Sequence, residues 1–462
     1  MECVAVHQSA AGAVSAVGAR VMKRFMGVIA MALMCAGCAT YQPLPLATQA
    51  QAPDSPASIK VDAASLSLPF LHPHVFDPGR GLDMTDVAML AVANNPQLKL
   101  ARDDRGIASA QAFAAGLLPD PVLDFSRGYP TSSSAPSSSY SAGLSGNLSA
   151  LLTHSLGKRA AHAAAREVDL SLLWKEWQVI GTSRQLFLRS WYQQKMLDLL
   201  RTESALVEHG HAELLEANRR GDVSLASVNA DQLTVQAVQT RRSDMELKVL
   251  ATHQALDALL GLSPGAQLQL IGPATIPRIS AAEITRGLAA LPRRRPDLRA
   301  LQAGYASQDA RYRQAIWQQF PAITVGFVRA RDTDAISTRG FQLSITLPVF
   351  NRNRGNIAIE KVTRQKLHDA YAIRLTDAHA DIEHILQGQK WLQRQHDQLA
   401  RSVTTAAKAV EASGAASLHG DISGLDEVKL KTEWLDQRIQ LLAIDLTLLE
   451  QQAMLQTLLG TS

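Results

Sequence analysis

The sequence predicts a mainly α-helical fold with a β-barrel part, built from a duplicated repeat of helix, strand, strand, long helix and helix. Three observations carry this. The first is Ile357–Leu418, about sixty residues with no proline and only Gly388 and Gly414 as breakers. At the rise of an α-helix it would be roughly 90 Å long, more than a globular core needs. The second is its end, the turn Leu418-His419-Gly420-Asp421-Ile422-Ser423, which leads into a return helix, Leu425–Leu459. There Trp434, Leu441, Leu448 and Leu455 recur every seven residues, with Leu435, Leu442 and Leu449 beside them, as in a coiled-coil seam. The third is duplication. Gly221-Asp222-Val223-Ser224 precedes Gly420-Asp421-Ile422-Ser423 by 199 positions, and Leu259-Leu260-Gly261 precedes Leu458-Leu459-Gly460 by the same 199. The first copy has its own long run, Ala160–Arg219, and a return helix, Leu225–Leu260, with Val228, Val235, Val249 and Leu256 in register and Arg242 interrupting.

The 462-residue length alone suggests two or three domains, but the repeat makes two halves of one structure the better expectation. The net charge of +4 is small and dispersed, which argues against a nucleic-acid partner. All three cysteines precede residue 39, so the body has no disulfide, thiolate metal site or cysteine nucleophile.

From the start of the chain, Met22-Lys23-Arg24 precedes an apolar run of 13 residues, Phe25–Gly37. That is too short to span a bilayer and suits the core of a signal peptide. The run ends Cys35-Ala36-Gly37-Cys38, which resembles a bacterial lipobox with Cys38 as the lipidated residue. Met1–Val21 reads as an upstream extension. Tyr41–Pro78, rich in proline, alanine and serine, reads as an extended tether, with His72-Pro73-His74 as plain loop. The expected organisation is a signal peptide over 1–37, an anchored tether over 38–80, a first repeat over 81–262, a linker over 263–290 and a second repeat over 291–462.

Leu82–Gly116 has a helical pattern interrupted at Asn94-Asn95-Pro96-Gln97-Leu98, and Arg294-Arg295-Pro296-Asp297-Leu298 repeats that break 200 positions on. The period then changes to two. Leu123 and Phe125 alternate with Asp124 and Ser126, and Tyr140, Ala142, Leu144, Gly146 and Leu148 with small polar residues. In the second half Ile323, Val325 and Phe327 alternate with Thr324 and Gly326, and Phe341, Leu343, Ile345 and Leu347 with Gln342, Ser344 and Thr346. These are four amphipathic strands of about ten residues, the length and pattern of transmembrane β-strands. Four strands cannot close a barrel, and an open edge in lipid is forbidden. The chain is therefore expected to oligomerise, and three copies, a trimer with a shared barrel, would supply twelve strands.

This arrangement resembles the TolC-like outer-membrane efflux protein family. The resemblance is carried by Leu82–Leu98, Ala115-Gly116-Leu117-Leu118-Pro119-Asp120-Pro121, Arg295-Pro296-Asp297-Leu298 and Leu347-Pro348-Val349-Phe350-Asn351-Arg352-Asn353-Arg354-Gly355, in order along the chain. The Asn-Arg-Asn-Arg-Gly run is most similar to the heavy-metal cation branch. The resemblance implies a homotrimeric duct of the cell outer membrane, a trimeric α-barrel continued by a shared 12-stranded transmembrane β-barrel, reaching into the periplasm of a Gram-negative bacterium. It also implies partners, a periplasmic adaptor and an inner-membrane proton-driven pump, and no enzyme activity or cofactor. A duct for drugs or type I protein secretion would have the same fold. A lipid-anchored periplasmic coiled-coil scaffold is the rival from another class, and it would need no amphipathic strands.

The candidate sites follow from these parts. The turns Gly221-Asp222 and Gly420-Asp421 are the expected periplasmic tips, with glycine supplying the reversal and each aspartate able to cap the next helix. Asp426, six residues past Gly420, stands where the resemblance implies an inward aspartate narrowing the pore, and Ser227 holds the matching place in the first half. Arg352 and Arg354 read as a polar turn below the barrel. His209 and His211 lie two apart on a helix and do not form a metal pair.

Overall fold

The computed structural model describes residues 39–49, 52–59, 61, 74, 76–131, 137–272, 275–419 and 421–460. The chain forms two units, residues 1–51 and 52–462. In the first, the described residues 39–49 are exposed and carry no helix or strand.

The second unit holds eight α-helices and four strands among its described residues. They are α1 (Met84–Asn94), α2 (Pro96–Gly116), β1 (Val122–Gly128), β2 (Ser139–Asn147), α3 (Leu148–Arg220), α4 (Leu225–Leu260), α5 (Ala281–Arg294), α6 (Pro296–Trp317), β3 (Ala322–Arg331), β4 (Ser337–Thr346), α7 (Arg354–His419) and α8 (Gly424–Leu459). The duplicated order is as expected, but both rods start earlier than their sequence patterns suggest. At 73 and 66 residues, α3 and α7 run for roughly 110 and 100 Å. Leu148, which alternates with the strand, is instead the first residue of α3. Asn147 both ends β2 and caps that rod, its side chain accepting from the Ala150 N–H at 2.9 Å.

Local chemistry explains the breaks. Asp83 and Asp86 form a capping box that starts α1. Asn95 ends α1 and caps α2, accepting from the Gln97 and Leu98 N–H groups, while Pro96 takes the first helical position. In the second half Arg295 occupies the corresponding place and has no capping side chain. It is fully buried, forks onto Asp297 at 2.9 and 2.6 Å, and lies 4.8 Å from the Trp174 ring centre. Burial opposes ionisation of Asp297, but Arg295 and then Arg374 hold its carboxyl below the usual range. Before α7, Arg352 and Asn353 take positive φ in a tight turn, and Asn353 Nδ2 donates to the Ala315 carbonyl at 2.8 Å. This polar turn is as the sequence suggests.

The sheet has the order β1-β2-β3-β4, all neighbours antiparallel. The helices repeat that order. In the half nearer the sheet, α3 packs between α2 and α6, and α6 packs on α7; in the other half α3 packs between α4 and α8, and α8 packs on α7. Each level is thus four elements wide, with β1, α2 and α4 on one edge and β4 and α7 on the other. Both edges carry exposed apolar side chains, including Phe113, Leu233 and Leu247 on the first and Val362, Ile373 and Trp391 on the second.

The principal core gathers at mid-length of the rods. Leu90 of α1, Phe187 and Leu188 of α3, and Leu256 and Leu260 of α4 are fully buried there. Ile59, Val61 and Phe76 pack against this core, and Ser263 donates its N–H to the Pro53 carbonyl at 2.9 Å. Leu82 bridges Leu270 of the inter-repeat segment. The later part of the expected tether is therefore not free chain. Apolar residues scattered through a proline-rich stretch anchor it to the body.

Candidate functional site

The two hairpin turns are the same structure built twice. In the first, Gly221 adopts left-handed geometry, with φ of 84°, and ends α3. The Asp222 N–H donates to the Ala217 carbonyl at 2.9 Å, and Asn218 Nδ2 reaches across the turn to the Val223 carbonyl at 2.8 Å. In the second, Gly420 lies outside the described residues. Asp421 N–H donates to the Ala416 carbonyl at 2.9 Å, the matching bond.

The aspartates do not cap the following helices. Ser224 and Ser423 do, accepting from the Ser227 and Asp426 N–H groups at 3.2 and 3.1 Å. They stand immediately before the return helices, where a hydroxyl reaches the third-residue amide, whereas the aspartates lie two residues too early. Asp222 pairs instead with Arg220 at 3.1 Å.

Asp426 is the third residue of α8. It is exposed, and its carboxylate accepts from the Ser423 hydroxyl at 2.7 Å. A negative charge in the first helical turn is favoured by the helix dipole. Ser227 makes the corresponding hydroxyl contact to Ser224 at 3.0 Å, so the halves share the cap and differ only in the charge. Next to it, Lys431 and then Ser417 hold the Glu427 carboxyl below its ordinary range. His211 pairs with Asp231 at 2.8 Å and His209 with Glu213 at 3.3 Å, so these histidines face different partners. Cys38 lies outside the described residues.

Further from the turns, Arg241 of α4 joins Glu203 of α3 to Asp436 of α8, linking the two hairpins. The Glu203 side chain is fully buried. Burial, then the Asp436 charge, push its carboxyl up to about 6 against the opposing pull of Arg241. The sequence gives no sign of this group, because it depends on the register of three helices.

A second cluster is also invisible to spacing. His74 lies 2.9 Å from Asp86 and 3.8 Å from Asp83, and one ligand atom from each residue falls within 4.8 Å of the others. His72 lies outside the described residues. Two carboxylate oxygens of this group are already used by the α1 cap, Asp83 Oδ1 by Thr85 and Asp86 N–H and Asp86 Oδ2 by Asp83 N–H. Its immediate role is to pin the preceding segment to the start of α1.

Residues 289–461 match the family model described as outer membrane efflux protein. No curated protein matches the chain. Among solved structures, the CmeC outer membrane channel of Campylobacter jejuni aligns with a TM-score of 0.69 at 16% identity, over 91% of this chain and 94% of that one. The open state of the MtrE outer membrane channel of Neisseria gonorrhoeae aligns with a TM-score of 0.67 at 21% identity, over 82% and 88%. CusC, described with the conformational changes of folding and transmembrane channel formation, aligns with a TM-score of 0.67 at 16% identity, over 90% and 99%. These likenesses establish the fold.

Proposed function

We propose, from the match of residues 289–461 to the outer membrane efflux protein family model and from the fold, that three copies form the exit duct of a tripartite efflux system. One observation carries the reading. Sheet and helices leave the same two edges open at every level, so one copy's β4–α7 edge can meet the next copy's β1, α2 and α4 edge throughout. Three copies close twelve strands into a wall without a free edge in lipid. The face of the sheet bearing Leu123, Phe327, Phe341 and Leu343 is apolar and exposed, as a lipid-facing surface must be. Near the helical end of the sheet, Trp317, Phe320 and Phe350 are exposed and suit an interfacial aromatic girdle.

In this reading Gly221, Asp222, Gly420 and Asp421 form the periplasmic tips that meet an adaptor and a proton-driven pump. Asp426 contributes to a ring of three carboxylates at the mouth, which repels itself, attracts cations and can open by small helix movements. The cargo proposed is heavy-metal cations, supported by the run Asn351–Gly355 and by the sign of that ring. Cys38 is the proposed lipid anchor.

The test is the purified chain in detergent and then in planar bilayers. Trimers that resist dissociation below heating, together with single-channel conductance, are expected. A monodisperse, water-soluble monomer without conductance refutes the proposal and favours a scaffold.

A further inference from the structure

The strand register places four arginines on the apolar face of the sheet. Ile323, Val325 and Phe327 of β3 stand opposite Ile345, Leu343 and Phe341 of β4, and Leu144 and Leu123 extend the Phe327 row. One row further from the helices, Arg329 stands directly opposite Arg339. In the next row Tyr140 is flanked by Arg331 on one side and Arg127 on the other. Residues paired in this way share a face, so the arginines continue the apolar stripe at its outer end.

Like charges directly opposite each other on a sheet repel. Nothing among the described residues relieves this pair. Among the described residues, Arg329, Arg331 and Arg339 have no carboxylate partner. Asp124 pairs with Gly143 on the opposite face, and Asp332 spends its Oδ1 on the Asp334 and Ile336 N–H groups of its own turn. The segment between β1 and β2 has no acidic residue. Arg127 lies 5.1 Å from the Tyr129 ring centre, and a cation–π contact leaves its charge uncompensated.

Beside the arginines lies a depression of about 550 Å³ lined by Leu123, Leu144, Phe327 and Phe341, with Arg329 and Arg339 bounding it. An occupant that satisfies both parts has an anionic head with paired acceptor oxygens and a hydrocarbon tail. Arginine forks match phosphate oxygens, and the apolar depression suits an acyl chain.

We propose that this patch binds the phosphate groups of an anionic membrane lipid, with an acyl chain in the adjoining depression. The inference rests on the sheet being a membrane wall, and it adds which lipid chemistry that wall selects. The arginines lie at the end of the sheet remote from the helices, so the lipid belongs to the leaflet facing away from the helical tunnel.

The test reconstitutes the full chain in phosphatidylcholine vesicles with and without bisphosphorylated lipid A. Flotation measures insertion, co-purified lipid measures preference, and melting measures stability. Wild type is expected to enrich lipid A about tenfold over phosphatidylcholine, equivalent to about 1.4 kcal/mol. The double variant Arg329→Gln, Arg339→Gln should lose most of that enrichment. In phosphatidylcholine alone it should melt no lower than wild type, since a repelling pair has been removed; a purely structural role for the arginines predicts the opposite. Inorganic phosphate should not displace the lipid, and displacement by it would reassign the patch to free anions. Insertion with unchanged enrichment overturns the lipid proposal alone. Failure to insert into either vesicle overturns the membrane reading on which it stands.

Discussion

Replacing Leu343 with arginine tests the assigned faces of the sheet. Leu343 pairs with Val325 on the apolar face, and Ser344 pairs with Thr324 on the polar one. Leu343 lies four positions after Arg339. At ~3.4 Å per residue and ~40° of tilt, that is about 10 Å of depth below the arginine row. An apolar band ~25 Å tall therefore has Leu343 near its middle. Arginine there should cost about 2–4 kcal/mol per chain, and about 6–12 kcal/mol in a trimer carrying three copies. Ser344→Arg, directed at the lumen, should cost under about 1 kcal/mol. The assay is denaturant unfolding of the assembled protein in bilayers, with the fraction of heat-labile trimer on gels as a second readout. Equal penalties for the two variants refute the face assignment. A larger penalty at Ser344 inverts it, placing the apolar side chains inside.

Three further outcomes are expected. Mass spectrometry of the mature protein should find cleavage before Cys38 and an acylated thiol, and Cys38→Ser should still assemble but partition less firmly into membranes. A divalent ion added on the periplasmic side should block single channels, and Asp426→Ala should remove much of the block while Asp222→Ala leaves it; an unchanged block places the constriction elsewhere. Glu203, raised from 4.5 to about 6, keeps its proton in the folded chain where the unfolded chain has released it. Its contribution to stability therefore rises as pH falls from about 6 to about 4.5, by at most ~2 kcal/mol, and is a constant cost above that window. Denaturation curves of wild type and Glu203→Gln should converge or diverge by that amount across the window, and a pH-independent difference refutes the assignment.

The parts legible in the sequence are those set by local periodicity. The return helix Leu225–Leu260 has the same bounds in sequence and structure, and its seam residues Val228, Val235 and Leu256 are buried. Strand faces were readable because a period of two fixes them, whatever lies beyond. Caps were less so: Asp222 and Ser224 are both able to cap, and only the starting residue of the helix decides between them. Contacts between distant segments were not legible. Ile59 and Val61 look like linker residues until the core beside Leu262 is present to receive them. Arg241 looks like a solvated helix charge until α3 and α8 bring Glu203 and Asp436 to it.

The duplication conserves geometry more strictly than chemistry, and this tells where function should be sought. At the helix break of the first half, Asn95 caps α2 and donates to the Leu259 carbonyl at 2.8 Å. In the second half Arg295 does neither, yet the chain turns in the same way, because Pro296 fixes the first helical φ and Asp297 neutralises the buried guanidinium. A buried position can change chemistry in this way only by recruiting a compensating partner, and Arg295 has recruited Asp297 and Trp174. Asp426 differs from Ser227 without any such recruitment. Both sit on the same serine cap, both are exposed, and the added charge has no counterion within ion-pair distance among the described residues. Ser227 shows that the cap forms without the charge, so beyond its favourable place at a helix N-terminus the Asp426 carboxylate is free to act in the proposed duct. In the proposed trimer, three copies would carry three such charges and not six, and the proposed constriction would belong to the second hairpin alone.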